Sequence, residues 1–375
     1  MGRIFKGWDK LLPDRGGIGR MISILIGTKG QLIKTSPMLI EMERRGIPYE
    51  FVLLGQHGDI IRSLIQLFDL REPDMAAGGR EDVTGMASGI RWSVASSRRL
   101  LSSIGVLGGD TFLVHGDPLS ALQGALLAKL SGRKLVHLEA GLRSGTLREP
   151  FPEESVRISV DAMSDFLIAP TREAVGNLSG SGGRVLLSEG NTGYDSVQLA
   201  VRNGFPEGGD PYVVATLHRF ENIMVPWRLK RSIEAILLAA GKHRVVFPLH
   251  PSTKRRIRGG LLSRLQAEEN VDISPLRRDY FSFINLIRGA EYVITDGGGL
   301  QEETYYLGVP CLLLRGVTER PEGLGSTCVV SRNRMAVIRE FLDSYGDFRA
   351  EPARLSKSPS ALAVDVLREE GLLEP

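Results

Sequence analysis

Short apolar runs alternate with segments of helical periodicity along most of the chain. Before residue 190, the apolar runs predict strands at residues 22–27, 49–55, 111–116, 134–139 and 165–170. Between them, apolar positions three and four residues apart predict helices at residues 33–45, 60–68, 83–104, 118–130 and 154–163. Strands that alternate with helices need crossover connections, which favour a mainly parallel sheet.

A second series of the same kind follows residue 190. It predicts strands at residues 212–218, 245–250, 271–274, 292–296 and 311–314. The polar, glycine-rich stretch at residues 179–190 is the expected hinge between the two series. We therefore expect an α/β fold of two Rossmann-like domains facing a cleft, at residues 21–188 and 189–356. The last segment, 357–375, with a helix over 361–370, is expected to pack on the first domain. Residues 1–20 form an extension of unknown role.

Composition narrows the class of protein. The 375 residues exceed one typical core, which agrees with two domains. The net charge of +3 results from 47 basic and 44 acidic residues, a balance that argues against nucleic-acid binding. Cys311 and Cys328 lack the spacing of metal ligands, and we expect them to be small buried side chains. No apolar stretch suits membrane insertion, so we expect a cytoplasmic protein.

Acidic residues follow two of the predicted strands. The segment 137–157, HLEAGLRSGTLREPFPEESVR, holds four glutamates and three arginines around glycine and proline. Glu139 ends one strand and Asp117 follows another, in HGDPLSAL. The carboxyl edge of an open α/β sheet is where ligands bind, and clustered carboxylates can divide acid and base work. Two alternatives remain: the segment is a solvated loop with ion pairs, and Asp117 is only a helix cap.

Two strand-to-helix turns are candidates for binding an anion. In GGGLQEE, glycines open a helix after a strand, and Glu303 lies one turn further, where a carboxylate suits the hydroxyls of a ribose. A tight turn without a ligand is the alternative. In GTKGQLIK, Lys29 and Lys34 flank the turn, but the sequence matches neither the dinucleotide fingerprint nor the Walker loop. We therefore expect no nicotinamide or ATP cofactor. The glycines concerned are Gly297, Gly298 and Gly299.

Two histidines end strands of the second series. His218 and His250 would point toward the ligand edge, and Arg219 beside one of them favours phosphate donors over metal ligands. The six histidines show no HExxH motif, so no metal is expected. Arg320, between two glutamates in TERPEGLG, is either an anion clamp or part of a salt-bridged loop.

Taken in order, HGD, HLEAGLRSG, PFPEE, GNTGYDSV, LHRFEN, LHP, DGGGLQEE and TERPE resemble the non-hydrolysing UDP-N-acetylglucosamine 2-epimerases. The likeness covers residues 22–325. It implies a glycosyltransferase-B-like fold and no cofactor or metal. It also implies a homodimer and a UDP-sugar substrate. In that family UDP is eliminated across C1–C2 to give a 2-acetamidoglucal, and UDP then adds back with C2 inverted.

The resemblance also implies roles for individual residues. Asp117, Glu139 and Glu153 match the catalytic carboxylates, although which of them takes the C2 proton stays open. His218 matches a diphosphate-binding histidine of the active site, and Glu303 matches the carboxylate that binds ribose. The remaining matches are an aromatic beside uracil, a diphosphate contact and two arginines near the acids: Phe283, Arg320, Arg143 and Arg157.

Several positions depart from the family pattern. Lys29 stands where arginine is usual, so its phosphate contact lacks the bidentate fork. Gly297 replaces a serine, and Phe220 and Val156 replace an arginine and an asparagine. Bacterial members bind a second substrate molecule as an activator near GQH. The corresponding effector positions Gln56, His57 and Arg80 persist, while Asp59 and Glu81 replace glutamines.

The first interpretation is thus a 2-epimerase that interconverts UDP-N-acetylglucosamine and UDP-N-acetylmannosamine. A hydrolysing relative would release free sugar, and a 2-epimerase of another UDP-2-acetamido sugar would share the chemistry. A glycosyltransferase on the same fold, or a non-catalytic sugar-nucleotide-binding protein, would belong to a different functional class.

Overall fold

The computed structural model describes residues 21–54, 59–77, 107–147, 149–206, 209–257, 259–275 and 279–374. The described residues form two compact units. Unit 1 comprises those of Met1–Gly141, Val156–Thr192 and Pro359–Pro375, and unit 2 those of Leu142–Ser155 and Gly193–Ser358. The expected extension at 1–20 and the expected helix at 83–104 lie outside the described residues.

Unit 1 is built on a parallel sheet. Its strands are β1 Ile22–Ile26, β2 Tyr49–Leu53, β3 Met75–Ala76, β4 Thr111–His115, β5 Lys134–Leu138, β6 Phe166–Ala169 and β7 Arg184–Leu187. Their order in the sheet is β3-β2-β1-β4-β5-β6-β7. The helices among the described residues up to position 177 are α1 Lys29–Arg44, α2 Asp59–Leu67, α3 Leu119–Leu130, α4 Glu153–Met163 and α5 Arg172–Asn177. The apolar side chains of β1 and β4 are buried, as expected for central strands.

Helix α1 begins several residues before the apolar periodicity from which it was predicted. Thr28 Oγ1 accepts a hydrogen bond from the Gln31 amide at 3.2 Å, and Gln31 Oε1 accepts one from the Thr28 amide at 3.0 Å, which together form a capping box. Gln31 Nε2 also donates to the His115 carbonyl at 2.7 Å. The helix therefore begins at Lys29, earlier than the expected residue 33, because its first turn is polar.

Unit 2 repeats the architecture with a second parallel sheet. Its strands are β8 Tyr212–Thr216, β9 Arg244–Leu249, β10 Val271–Pro275, β11 Val293–Thr295, β12 Cys311–Leu313 and β13 Cys328–Val330. Their order is β10-β9-β8-β11-β12-β13. The helices are α6 Gly193–Arg202, α7 Phe220–Met224, α8 Pro226–Ala240, α9 Pro251–Arg256, α10 Gly260–Gln266, α11 Tyr280–Arg288, α12 Gly298–Leu307 and α13 Met335–Ser344. The expected α/β class with two parallel-sheet units is thus confirmed.

Three local expectations need comment. The expected hinge at 179–190 contains the strand β7, which the sequence pattern did not predict. The last helix, α14 Pro359–Glu369, packs against α1 within unit 1, where Asp365 forms an ion pair with Arg45. Cys311 and Cys328 are buried free thiols, as expected. Among the described residues, none of the helices combines the length and apolarity needed to cross a membrane.

Gly308 provides a test of the packing in unit 2. It ends α12 with φ of +69°, and a Cβ at this position would overlap the carbonyl of Ala350. Gly46 has φ of +67° but no heavy atom near its Cβ position, so it is the matched control. We expect Gly46→Ala to lower the free energy of unfolding by about 1 kcal/mol. Gly308→Ala should cost a further 1–3 kcal/mol, roughly, because of the overlap. Equal losses in urea unfolding would contradict this description.

Candidate active site

Glu139 follows β5 directly and lies at the carboxyl edge of the unit 1 sheet. Its side chain is only 5% exposed, and its φ of +70° places it in the left-handed region. Lys34 Nζ lies 2.9 Å from Glu139 Oε2, and His115 Nε2 lies 3.3 Å from the same oxygen. A left-handed backbone is unfavourable for a glutamate, and such strain is concentrated at functional sites. Glu139 is therefore a buried, cation-paired carboxylate in a position typical of function.

Asp117 lies between β4 and α3. Its carboxylate forms an ion pair with Arg157 of α4, whose side chain is 1% exposed. The N-cap of α3 is Pro118, and no side chain caps the helix. The interpretation of Asp117 as a helix cap is therefore wrong, because its oxygens bind an arginine instead.

The two acids leave neighbouring strands at the same edge of the sheet. The parallel register pairs His115 of β4 with Leu138 of β5, one residue before Glu139. A Cβ at Gly116 would lie 3.9 Å from Glu139 Oε2, so the turn that carries Asp117 runs close to the Glu139 carboxylate. Unit 1 thus brings two carboxylates and their cationic partners together, as carboxyl-edge placement predicts.

A buried histidine and a buried aspartate form hydrogen bonds with the turns that follow β4 and β5. His137 Nε2 lies 2.9 Å from the Gly116 carbonyl, and Nδ1 lies 2.6 Å from Asp161 Oδ1. A carbonyl can only accept, so Nε2 carries a hydrogen. The other oxygen of Asp161 accepts a hydrogen bond from the Gly141 amide at 3.3 Å. The pair therefore connects the turn after β4 to the turn after β5.

A small cavity adjoins Glu139 in unit 1. Besides Glu139, the polar side chains that line it are Ser188, Asn191 and Thr192, from the stretch that ends in GNT. Glu139 therefore lines a recess that it shares with polar side chains from the stretch before α6.

Glu153 and the loop before it group with unit 2. Glu153 is the first residue of α4, and its Oε1 accepts a hydrogen bond from Arg219 Nη1 at 2.7 Å. Earlier in the loop, Glu149 accepts hydrogen bonds from the Gly316 amide at 2.9 Å and from Arg228 Nη1 at 3.2 Å. These contacts fix the segment that carries Glu153.

His218 and His250 both lie just beyond strand ends in unit 2. β8 ends at Thr216 and β9 at Leu249, so each strand stops before its histidine. The ring centroids of the two histidines are 5.5 Å apart. His250 Nδ1 accepts a hydrogen bond from the Ser252 amide at 3.3 Å. The two imidazoles therefore form one cluster.

Buried charged side chains that form ion pairs with one another lie beside the start of α12. Gly297 is the N-cap, and α12 begins at Gly298. Arg320 is almost completely buried and forms an ion pair with Glu302 at 2.7 Å. Its Nε lies 3.2 Å from the Cβ position of Gly298. Arg315, which the sequence did not single out, pairs with Glu319 at 2.9 Å. Arg320 is thus part of a salt-bridged cluster beside the helix N-terminus.

Glu303 lies on α12 and is partly buried. Tyr280, the first residue of α11, donates a hydrogen bond from its hydroxyl to Glu303 Oε1 at 3.1 Å. Burial raises the pKa of Tyr280 well above its ordinary value, and the Glu303 charge adds to this, so the hydroxyl stays a donor. Phe283, one turn further along α11, is half-buried. Tyr280 therefore orients the carboxylate that the resemblance assigns to ribose.

The sequence-predicted site residues that the structure describes are divided between unit 1 and unit 2. The unit 1 group contains Lys29, Lys34, Asp117, Glu139 and Arg157. Lys29 is exposed at the first residue of α1. The unit 2 group contains Arg143, Glu153, His218, His250, Phe283, Gly297, Gly298, Gly299, Glu303 and Arg320. Arg143 is partly buried and donates to the Leu142 carbonyl at 2.9 Å. The expected effector residues Gln56, His57 and Arg80 lie outside the described residues.

The sequence analysis did not identify several residues whose contacts hold the candidate site residues, or the turns that carry them, in place. These are His137, Asp161, Tyr280, Arg315 and the buried Asp296, which faces His218. His137 and Asp296 had one usable signal, because each is a polar residue inside or directly after an apolar strand. Within the described ranges, no group of three or more histidine, cysteine or acidic side chains is arranged to hold a metal ion.

The comparisons with known proteins agree with the order of the motifs. Residues 41–360 match the family model described as UDP-N-acetylglucosamine 2-epimerase. The UDP-N-acetylglucosamine 2-epimerase of Methanocaldococcus jannaschii is 31% identical over 343 residues, which cover 85% of this chain and 90% of that protein. The UDP-2,3-diacetamido-2,3-dideoxy-D-glucuronate 2-epimerase of Pseudomonas aeruginosa is 32% identical over 343 residues, 87% of this chain and 92% of that protein.

A solved structure is similar over nearly the whole chain. It is the crystal structure of the Methanocaldococcus jannaschii UDP-GlcNAc 2-epimerase in complex with UDP-GlcNAc and UDP. Its TM-score to this chain is 0.79 at 27% sequence identity, and the match covers 93% of this chain and 99% of that chain.

Proposed function

Because the chain belongs to the UDP-N-acetylglucosamine 2-epimerase family, we propose that it interconverts UDP-N-acetylglucosamine and UDP-N-acetylmannosamine. The observation that carries this proposal is the pair of carboxylates, Asp117 and Glu139, at one sheet edge of unit 1. An epimerisation at C2 needs acid and base groups beside the sugar, and this edge supplies two carboxylates with cationic partners.

The proposed reaction is an elimination followed by a re-addition. The C1–O bond to UDP breaks, UDP leaves with the bonding electrons, and the C2 hydrogen leaves as a proton to a carboxylate. The product is a 2-acetamidoglucal. UDP then adds back to C1 while a proton reaches C2 from the opposite face. Asp117, Glu139 and Glu153 are the proposed acids and bases, and no one of them is assigned to a single step.

The proposed nucleotide contacts come from unit 2. The leaving diphosphate needs donors for its developing charge, and His218, His250 and the amides at the start of α12 are suited to this. Glu303 is the proposed acceptor for the ribose hydroxyls, and Phe283 the proposed aromatic beside uracil. Lys29, Lys34, Arg143, Arg157 and Arg320 are proposed to hold the substrate or the acids. Arg320 would then share its guanidinium between Glu302 and phosphate.

The ribose contact gives a testable prediction. Tyr280→Phe removes the hydroxyl that donates to Glu303 while keeping the ring. Since this bond orients the carboxylate, we expect the Kd for UDP to rise by about three- to tenfold, measured by calorimetry. Tyr305→Phe is the control, because in the described part of the chain the Tyr305 hydroxyl has no hydrogen-bond partner. Equal Kd values for the wild type and Tyr280→Phe would contradict the ribose assignment.

A second substrate is favoured by one observation. The Pseudomonas aeruginosa relative, which is named for a UDP-2,3-diacetamido uronate, is as similar as the relative named for UDP-N-acetylglucosamine. The second candidate function is therefore the same 2-epimerisation on a UDP-2-acetamido sugar with further substituents at C3 and C6.

The test is incubation with UDP-N-acetylglucosamine, followed by proton NMR. We expect UDP-N-acetylmannosamine to accumulate to an equilibrium that is also reached from the opposite side. Turnover of the diacetamido uronate alone would favour the second candidate. Free N-acetylmannosamine with UDP would identify a hydrolysing enzyme, and UDP release that needs an acceptor would identify a glycosyltransferase. Either of these last results would overturn the proposal.

We also propose a homodimer, as the resemblance implies. Support comes from large apolar side chains that are exposed in unit 1, namely Leu126 and Leu130 of α3 and Ile158 of α4. Light scattering on the purified protein should give twice the chain mass of 41.1 kDa. A monomer mass at micromolar concentration would contradict this. The cytoplasmic location stays a prediction.

A further inference from the structure

His218 is held by a fully buried carboxylate. Asp296 follows β11 directly, and its Oδ1 lies 3.2 Å from His218 Nδ1. The same carboxylate accepts hydrogen bonds from the His218 amide at 3.0 Å and from the Arg219 amide at 3.0 Å. Asn222 Nδ2 lies 3.3 Å from Oδ2. Within the described part of the chain, each hydrogen-bond or ion-pair partner of Asp296 is a donor, and two of these donors belong to His218.

This environment keeps Asp296 ionised. Burial by itself raises the pKa of Asp296, but the charge of His218 and the hydrogen bonds from His218 and Arg219 outweigh it, so the pKa lies below the ordinary value. A buried carboxylate next to an imidazole favours a proton on the facing ring nitrogen. Nδ1 of His218 is therefore the nitrogen that carries the hydrogen toward Asp296.

The other side of the ring is available to a ligand. With Nδ1 on Asp296, Nε2 is the remaining nitrogen, and the His218 side chain is 40% exposed. No hydrogen bond to Nε2 is formed by the residues that the structure describes. His250 lies beside the ring. The carboxylate thus holds Nδ1 and leaves Nε2 as the ring nitrogen that a bound ligand can reach.

Gly297 leaves the space that the ring occupies. A Cβ built on Gly297 would lie 2.9 Å from His218 Cε1 and 3.7 Å from Nε2. The glycine has φ of −92°, which any residue can adopt, so its backbone does not demand glycine. A side chain at 297 would therefore displace the imidazole from the position that it has in this chain, where Gly297 replaces the usual serine.

We infer that Asp296 and Gly297 are positioning residues for His218: Asp296 fixes the ring through Nδ1, and Gly297 leaves the space in which Nε2 faces a phosphate oxygen of the substrate, to which the ring donates when both of its nitrogens carry a hydrogen. The inference rests on the proposed function, since it names the diphosphate of a nucleotide sugar as the acceptor. A donor that is held in place before the reaction stabilises the transition state most, because charge then develops on the leaving oxygen. Loss of this position should therefore lower kcat more than it changes KM.

The first test is Gly297→Ala, because it leaves Asp296 unchanged. The added methyl group must move the ring by a few tenths of an ångström or turn it away from Asp296. We expect kcat to fall by roughly ten- to a hundredfold with KM changed less than threefold, since small misplacements of a catalytic donor have effects of this size. The control is Gly260→Ala, the same change at a helix start in unit 2 where the Cβ position has no neighbour. It should leave kcat unchanged.

The second test observes the ring without any substrate. In ¹⁵N NMR of the ligand-free protein, we expect the His218 resonances to show a hydrogen on Nδ1, and this signature to change in Gly297→Ala but not in Gly260→Ala. Asp296→Asn should abolish the signature if the variant folds, and the Gly297→Ala spectrum decides the question if it does not. A hydrogen on Nε2 alone in the wild type, or an unchanged kcat in Gly297→Ala, would overturn the inference. If the wild type does not epimerise UDP-N-acetylglucosamine, the proposed function fails while the NMR result still decides the positioning role.

Discussion

Glu139→Gln is expected to lower the turnover of UDP-N-acetylglucosamine by roughly 10²–10⁴-fold. The amide keeps the shape of the side chain but can act neither as an acid nor as a base, and it leaves Lys34 and His115 without the charge that they face. UDP binding should persist, because the proposed nucleotide contacts belong to unit 2. Turnover is measured by NMR, and UDP affinity by calorimetry.

The matched control is Glu173→Gln, an exposed glutamate in the first turn of α5. It removes the same charge from the same unit, away from the sheet edge, and should leave both quantities unchanged. Turnover within threefold of the wild type in Glu139→Gln would remove Glu139 from the mechanism.

Asp117→Asn is expected to have the second-largest effect. The change removes the charge that Arg157 faces in the interior of unit 1. We expect turnover to fall by roughly a hundredfold or more, because a carboxylate near the sugar is lost. We also expect the free energy of unfolding to fall by about 1–3 kcal/mol, since a buried guanidinium loses a charged partner.

Asp365→Asn is the control for the stability effect. Asp365 also forms an ion pair with an arginine in unit 1, but its side chain is 46% exposed. Exposed pairs contribute little, so we expect a loss of at most about 0.5 kcal/mol and unchanged turnover. Full activity in Asp117→Asn with normal stability would show that the acid is neither catalytic nor important for the fold.

The sequence predicted the sheets and their carboxyl edges well, because buried parallel strands appear as uninterrupted apolar runs. It also predicted that Asp117, Glu139, His218 and His250 lie at strand ends, since a polar residue close after an apolar run is visible in the local sequence. It missed β7, because this four-residue strand is only partly buried and lies among glycines and serines. Edge strands of this kind carry little apolar signal.

The partners of the site residues could not be predicted in the same way. Asp296 lies 78 residues from the His218 amide to which it bonds, and Asp161 lies 24 residues from His137. Such pairs depend on strand order, which local pattern does not give. Arg320 illustrates the same limit. The sequence left a clamp and a salt bridge equally open, and the choice of Glu302 as its partner follows from the packing of α12.

Solvent exchange at C2 tests the central claim most directly, which is that carboxylates of the protein remove the C2 proton and return one while UDP departs. The protein is incubated with UDP-N-acetylglucosamine in deuterated water, and both recovered sugars are analysed by NMR and mass spectrometry. We expect deuterium at C2 of UDP-N-acetylmannosamine and of the recovered UDP-N-acetylglucosamine. Interconversion of the two sugars with the original hydrogen retained at C2 would contradict the account.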